Sequence, residues 1–126
     1  FVGEKLFHLA EGEHHLAELE AYPVILSTRE YWEKQEYSRL YESLGLQFSV
    51  LPAEGYSLRR LYAREGLGII ITMTSYAQEL VDKDILRQVT ISEPLPQRRL
   101  MAITRKRSEM TQAAREFYDL FVQQFE

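Results

Sequence analysis

The stretch Tyr22-Pro23-Val24-Ile25-Leu26-Ser27-Thr28 decides the fold. Its centre, Val24-Ile25-Leu26, is wholly apolar with two β-branched residues, a composition typical of a strand buried on both faces of a parallel sheet. Pro23 disfavours helix in the residue before it and marks where the strand begins. Two further strands are predicted, because residues 46–50 alternate apolar and polar side chains and residues 68–72 are strongly β-branched.

Helical patterns separate these strands. Apolar residues at 37, 40, 41 and 44 repeat at the spacing of one helix face, and Gly45 stands where a helix often ends. Ser57 is predicted to cap a short second helix that Gly66 ends, and Ser75 to cap a third. Strands that alternate with helices at this spacing form βαβ units. The predicted fold class is therefore α/β, with a mainly parallel sheet flanked by helices.

The remaining segments extend this pattern on both sides. We predict strands at residues 5–10, 86–91 and 100–104, a polar loop at 11–15 and one helical turn at 16–21. Ser108 is predicted to cap the last helix, whose apolar stripe consists of Met110, Ala113, Ala114, Phe117, Leu120 and Phe121. A stripe of this size must pack against another apolar surface.

Composition excludes several classes of function. The 126 residues include 15 Lys and Arg against 19 Asp and Glu, a formal charge of −4, which disfavours nucleic-acid binding by this chain alone because phosphate contacts dominate such affinity. The absence of cysteine excludes disulfides, zinc–thiolate sites, iron–sulfur clusters and a cysteine nucleophile. No apolar run is long enough to span a bilayer, and no signal peptide opens the chain.

Because the first residue is Phe rather than Met, we expect this chain to be a piece of a longer protein.

Polar residues follow each of the three strands. Ser27 and Thr28 follow the first, Glu54 and Ser57 the second, and Thr72 the third. In open α/β sheets, ligands bind beyond the carboxyl ends of the strands, near helix N-termini. These five residues are the predicted ligand-binding residues, and hydroxyls beside free backbone N–H groups favour a small anion. Two alternatives stay open: the same residues could serve only as helix caps, and Glu54 could equally favour an amine.

No other cluster of residues predicts a reaction or a bound metal. His8, His14 and His15 lie near two glutamates but match no metal-ligand spacing, so we predict a solvated loop, with no metal and no cofactor. Five basic residues lie late in the chain: Arg98, Arg99, Arg105, Lys106 and Arg107. They lack interleaved aromatic residues, so we interpret them as a solvated patch. No nucleophile triad, carboxylate pair or phosphate loop stands out, so an enzyme is not expected.

The glycines of Gly66-Leu67-Gly68 have a structural interpretation. They follow a helix and precede a strand, which is the reverse of the context that a dinucleotide fingerprint requires. Gly66 is expected to take a left-handed turn and Gly68 to allow close approach of the backbone.

The order of these segments resembles the C-terminal part of LysR-type transcriptional regulators. Tyr22-Pro23-Val24-Ile25-Leu26 resembles the strand by which that family enters its second subdomain. Residues 57–72, with Gly66-Leu67-Gly68-Ile69 in their middle, resemble its helix, glycine turn and strand. Glu93-Pro94-Leu95-Pro96 and residues 99–106 resemble the return strand, and residues 108–121 the closing helix.

Two positions depart from the family's pattern. His14-His15-Leu16-Ala17 resembles the family's His-Pro-Leu-Ala, but His15 replaces the usual proline. Met73 stands where a proline usually follows the third strand.

The resemblance implies a type II periplasmic-binding-protein-like fold, in which two α/β subdomains face a cleft and are joined by crossing strands. Residues 1–126 would be a partial effector-binding domain, with 22–92 as the complete second subdomain and 1–21 and 93–126 as parts of the first. Ser27, Thr28, Glu54, Ser57 and Thr72 would form the second-subdomain wall of the cleft. The hinge would lie near residues 21–24 and 92–96.

The resemblance also implies a function and partners. The chain would bind a small-molecule effector in the cleft and transmit the change to a DNA-binding domain outside this sequence. It would act in the cytoplasm as a homo-oligomer, a dimer or tetramer, with no membrane partner and with DNA contacted only through the missing N-terminal domain. Strands 5–10 and 100–104 would lack neighbours, and such exposed edges associate. Two other hypotheses stay open: a periplasmic solute-binding protein of the same fold, and a small stand-alone enzyme or interaction domain.

Overall fold

The computed structural model describes residues 1–98 and 103–124. Within these ranges the strands are β1 (Glu13–His14), β2 (Val24–Leu26), β3 (Val50–Pro52), β4 (Ile69–Ile70) and β5 (Thr90–Ile91). The α-helices are α1 (Tyr31–Ser43), α2 (Tyr56–Arg64), α3 (Thr74–Asp82) and α4 (Gln112–Gln124), and 3-10 helices cover Glu4–Ala10, Leu16–Leu19 and Arg107–Glu109. The chain divides into two compact units, Phe1–Pro96 and Gln97–Glu126.

β2 is the central strand of a parallel sheet in the order β3-β2-β4. Ile25 lies opposite Leu51 on one side and Ile70 on the other. Each of the three strands leads into an α-helix, so α1, α2 and α3 all begin at the carboxyl edge of this sheet. The predicted α/β class with parallel strands and flanking helices is confirmed.

The two faces of β2 bury side chains in two different apolar clusters. Val24 and Leu26 pack with Leu19 and Tyr41, whereas Ile25 packs with Ala63 on the opposite face. This division follows from the alternation of side chains along a strand. Because the three β2 side chains are at most 1% exposed, the central strand is buried on both faces, as its sequence predicts.

The glycine turn before β4 has the structure that its sequence predicts. Gly66 has a φ of +72°, in the left-handed region that favours glycine. A Cβ built on Gly68 would lie 2.4 Å from the carbonyl oxygen of Pro23. The same oxygen accepts a hydrogen bond from the backbone N–H of Ile69 at 3.0 Å. The close approach of the Gly68 backbone to Pro23 is therefore part of the pairing of β2 with β4.

The segment before the central sheet differs from the prediction. The strand expected at residues 5–10 is wrong: Glu4–Ala10 is a 3-10 helix that buries Leu6 and Leu9. These leucines are three residues apart, which is the repeat of a 3-10 helix. The loop expected at 11–15 contains β1, which pairs in parallel with β5. The helical turn expected at 16–21 is present as a 3-10 helix.

Several predicted strand boundaries also need correction. The second strand begins at Val50 instead of residue 46, the third covers only Ile69–Ile70, and the fourth only Thr90–Ile91. The strand predicted at 100–104 falls largely on residues that lie outside the described ranges. Residues 103 and 104 are in no strand.

The three serines predicted as helix caps do not have that role. Ser57 and Ser75 are the second residues of their helices, and the residues at the cap positions are Gly55 and Met73. Ser108 lies inside the 3-10 helix that precedes α4. The hydroxyl that accepts a first-turn N–H of α4 belongs to Thr111, which is 3.1 Å from the nitrogen of Ala114.

The second unit contains α4 and the 3-10 helix before it. Arg107 donates two hydrogen bonds of 2.9 Å to the Asp119 carboxylate and so fixes the start of this segment to the middle of α4. The rings of Phe117 and Phe121 stack with their centroids 6.5 Å apart, and Phe117 is 71% exposed. Nowhere in the described ranges is a helix long and apolar enough to cross a membrane.

We predict that Gly68→Ala destabilises the fold by about 3 kcal/mol, because the added methyl would displace a carbonyl that is already part of the sheet. Urea unfolding followed by circular dichroism measures the change. Gly12→Ala is the matched control: nothing lies within 4 Å of its Cβ, so only its φ of +72° opposes the substitution, at about 1–2 kcal/mol. Equal losses for the two variants would contradict the close approach at Gly68.

Candidate functional site

The carboxyl edge of the β3-β2-β4 sheet brings two predicted site residues into direct contact. Both the backbone N–H and the hydroxyl of Thr28 donate to Oε1 of Glu54, each at 2.7 Å. The backbone bond and then the hydroxyl bond hold the pKa of Glu54 below its ordinary value. A carboxylate of the chain itself therefore occupies the donors that the sequence suggests for an anionic ligand.

Ser27 takes part in the turn that leads into α1. Its backbone N–H donates to Oε2 of Glu30 at 3.2 Å, and its hydroxyl accepts from the backbone N–H of Arg29 at 3.1 Å. These bonds join β2 to the start of α1. The Ser27 hydroxyl thus contributes to the turn, whether or not a ligand is bound.

An ion pair joins Glu30, the residue before α1, to Arg59 of α2. Nη1 of Arg59 donates to Oε1 of Glu30 at 2.6 Å, and Arg59 is only 9% exposed. Its guanidinium carbon lies 4.8 Å from the centroid of the Tyr56 ring. Sequence reasoning missed this pair. The available signal was the spacing of Arg59 and Ala63, four residues apart, which places both on the buried face of α2.

Thr72 lines the same cavity as this arginine. It lines a cavity of about 10 Å³, together with Tyr56, Arg59, Arg60, Ile70, Tyr76, Ala77, Leu80 and Leu86. The Nε atom of Arg59 is buried and has no hydrogen-bond partner among the described residues. The structure therefore places Thr72 at a cavity that Arg59 also lines, whereas Ser57 is exposed in the first turn of α2.

The two histidines of residues 11–15 contact polar groups of the chain. Nδ1 of His15 lies 2.7 Å from the Ser92 hydroxyl and 3.2 Å from Oε1 of Glu93. Oε2 of Glu93 accepts the backbone N–H of Leu16 at 2.8 Å, which is the main reason that the pKa of Glu93 is lowered. His14 contacts Glu18 on the adjoining 3-10 helix. These contacts connect β1 to the residues that follow β5.

Comparison with known protein families shows to which family this chain belongs. A family described as the LysR substrate binding domain matches residues 6–126. The chain belongs to this family. It is therefore an effector-binding domain of the type found in LysR-type regulators, with the type II periplasmic-binding-protein-like fold that the sequence resemblance implies. The family is one of regulatory, non-enzymatic domains. No curated protein and no solved structure matches the chain.

We predict that Thr28→Val raises the pKa of Glu54 only part of the way to its ordinary value. The substitution removes the hydroxyl donor and retains the backbone donor, which has the larger effect. A pH titration of the Glu54 carboxyl carbon by NMR measures this. Because the folded-state pKa is lowered, the stability that this contact contributes is present above the unfolded pKa and is lost as pH falls through the folded one. Identical titrations of wild type and variant would show that the hydroxyl does not stabilise the carboxylate.

We also predict that Glu30→Ala destabilises the fold by about 2–3 kcal/mol, because it leaves the buried Arg59 without its carboxylate. This lies below the roughly 3–5 kcal/mol of a fully buried pair, since 24% of the Glu30 side chain is exposed. Chemical denaturation provides the measurement. Glu42→Ala, at an exposed position of α1, is the control and should change stability by no more than about 0.5 kcal/mol. A cost for Glu30→Ala as small as that of the control would mean that Arg59 does not depend on the pair.

Proposed function

We propose that this chain is the effector-sensing part of a LysR-type transcriptional regulator. In this proposal a small metabolite binds at the carboxyl edge of the β3-β2-β4 sheet, in the cleft between two subdomains. The observation that carries it is the convergence of three strand ends and three helix N-termini at one edge, in a chain that belongs to the LysR substrate binding domain family. Strand ends of this kind are where open α/β sheets bind ligands.

The proposed cleft wall consists of the residues at these three strand ends. Thr28 and Glu54 supply a hydroxyl and a carboxylate at the ends of β2 and β3, and Thr72 supplies a second hydroxyl after β4, at a cavity that Arg59 also lines. Ser27 and Ser57 complete the set, Ser27 through the turn that leads into α1 and Ser57 through the first turn of α2. A polar wall with donors and acceptors this close together suits a small polar molecule better than an apolar one.

The proposed subdomain arrangement assigns a role to the connecting segments. Residues 22–92 are proposed as the second subdomain, with 1–21 and 93–126 as parts of the first. The contacts of His15 with Ser92 and Glu93 lie at one of the two proposed hinges, near residues 92–96. Pro94 and Pro96 restrict the backbone there, which supports a hinge that pivots rather than one that unfolds.

Transmission to DNA is proposed to depend on an oligomer. A ligand shifts the equilibrium between two arrangements only by the difference in its affinity for them. We propose that the chain acts in the cytoplasm within a homo-oligomer, whose DNA contacts belong to a domain outside this sequence. The net charge of −4 supports that division, because this part carries no excess of cations for phosphate.

The test is a thermal-shift screen of small metabolites against the chain. A true effector should raise Tm in proportion to the logarithm of its excess over Kd. The shift should decrease in a Ser27→Ala, Thr28→Ala double variant and in Thr72→Val. Ser43→Ala, near the opposite end of α1, is the control and should respond like wild type.

Two outcomes would contradict the proposal in different ways. Equal shifts in wild type and in both site variants would remove these strand ends from the binding site. In the complete gene, we expect a helix-turn-helix upstream of Phe1. A secretion signal in that place, without such a motif, would favour a periplasmic solute-binding protein instead.

A further inference from the structure

The chain places one of its own carboxylates on the donors at the end of β2. Oε1 of Glu54 accepts both the backbone N–H and the hydroxyl of Thr28, each at 2.7 Å. Both residues are exposed, so solvent and ligands can reach the pair. These two donors therefore bind a carboxylate in this structure, and that carboxylate belongs to the protein itself.

The sheet fixes the backbone on both sides of Glu54. The preceding residue, Ala53, is 1% exposed, and its N–H donates to the Leu26 carbonyl oxygen at 3.0 Å. This bond continues the pairing of β2 with β3 by one residue, since Leu26 lies opposite Pro52. The following residue, Gly55, is the N-cap of α2. The register of the sheet therefore brings the Glu54 side chain to the end of β2.

The other donors at this strand end are bonded as well. The backbone N–H of Ser27 donates to Oε2 of Glu30 at 3.2 Å. The backbone N–H of Arg29 donates to the Ser27 hydroxyl at 3.1 Å. An anion that entered here would therefore need the two donors of Thr28, and it would have to displace Glu54 to reach them.

The charges around Glu54 are balanced. The hydrogen bonds of Thr28 lower the pKa of Glu54 most, and the guanidinium charges of Arg29 and Arg59 lower it further. Arg59 also pairs with the Glu30 carboxylate at 2.6 Å. Two carboxylates thus face two guanidinium groups, and this strand end has no excess charge of either sign for an ionised ligand group. Loss of the Glu54 charge would leave one excess positive charge and two free donors.

We propose that Glu54 determines effector specificity at this strand end, because it occupies the donors of Thr28, excludes anionic groups and offers its second oxygen to an uncharged hydrogen-bond donor of the effector. Oε2 of Glu54 accepts no hydrogen bond within the described ranges. This proposal rests on the proposed function and makes it more specific. The effector group that faces Glu54 is then a hydroxyl or an amide rather than the small anion that the strand-end hydroxyls suggest.

The experiment compares wild type with Glu54→Ala, using sodium acetate as the probe and the ¹⁵N–¹H signal of the Thr28 amide as the readout. At constant ionic strength, acetate should shift this signal saturably in the variant. We expect the apparent affinity to be about tenfold or more above that of wild type, because the substitution removes a competitor that is tethered beside the donors. Glu54 is exposed, so the variant should fold, and the dispersion of the amide signals in the same spectra checks this.

Two further variants separate the effect of the carboxylate from that of net charge. Glu54→Gln keeps an acceptor of the same length but has no charge, and charge-assisted hydrogen bonds are roughly twice as strong as neutral ones. Its acetate affinity should lie between those of wild type and Glu54→Ala. Glu42→Ala removes one negative charge near the other end of α1 and should bind acetate like wild type.

Three results would overturn the proposal. An acetate affinity in wild type equal to that of Glu54→Ala would mean that the donors are available in spite of Glu54. An unchanged Thr28 signal in both Glu54 variants would mean that the carboxylate blocks no anion site. A saturable shift of the wild-type signal by methylammonium chloride would mean that Glu54 selects a cation rather than an uncharged donor.

The metabolite screen separates this proposal from the proposed function. If an acidic metabolite raised Tm of the wild type and shifted the Thr28 amide, the effector function would stand and the role of Glu54 would be wrong. If Glu54→Ala gained acetate binding while no metabolite raised Tm and the gene encoded a secretion signal, the role of Glu54 in excluding anions would stand without that function.

Discussion

The burial of β2 on both faces and both edges is the constraint on which the rest of the first unit depends. Its side chains enter two separate apolar clusters, and its backbone bonds to β3 on one side and β4 on the other. A strand in this position tolerates neither a polar side chain nor a slip of one residue, because a slip would exchange the two faces. The register then determines where Thr28, Glu54 and Thr72 lie. The geometry of the candidate site is thus a consequence of how Val24-Ile25-Leu26 is packed.

Sequence patterns predicted the parts of the fold that depend on local apolar periodicity. The central strand, α1 and the two glycine roles before β4 are confirmed, because each leaves a signature within a few residues. β1 has no such local signature, because its two residues, Glu13 and His14, pair with a strand 77 residues further along the chain. The contacts around His15 and Glu93 also join distant residues. Such pairing depends on the tertiary fold, which a local pattern does not contain.

The candidate site shows the same division between local and distant signals. The meeting of Thr28 with Glu54 follows from parallel topology, since the carboxyl ends of neighbouring parallel strands share an edge. Arg59 was missed because its environment depends on Glu30, 29 residues earlier. Leu58 and Tyr62 are partly buried against the same apolar cluster as Ala63, whereas the buried residues of α2 are Arg59 and Ala63. An arginine at that position requires a carboxylate partner, and the pattern of α2 alone does not reveal it.

The internal bonds at the end of β2 determine which ligands can compete there. Because Thr28 holds the pKa of Glu54 below its ordinary value, Glu54 stays ionised at neutral pH and protonation does not release it. An incoming anion would have to displace a carboxylate that is already tethered beside its donors, and an intramolecular competitor acts at a high effective concentration. The availability of the donors at this edge to a ligand therefore depends on where the chain places its own carboxylates.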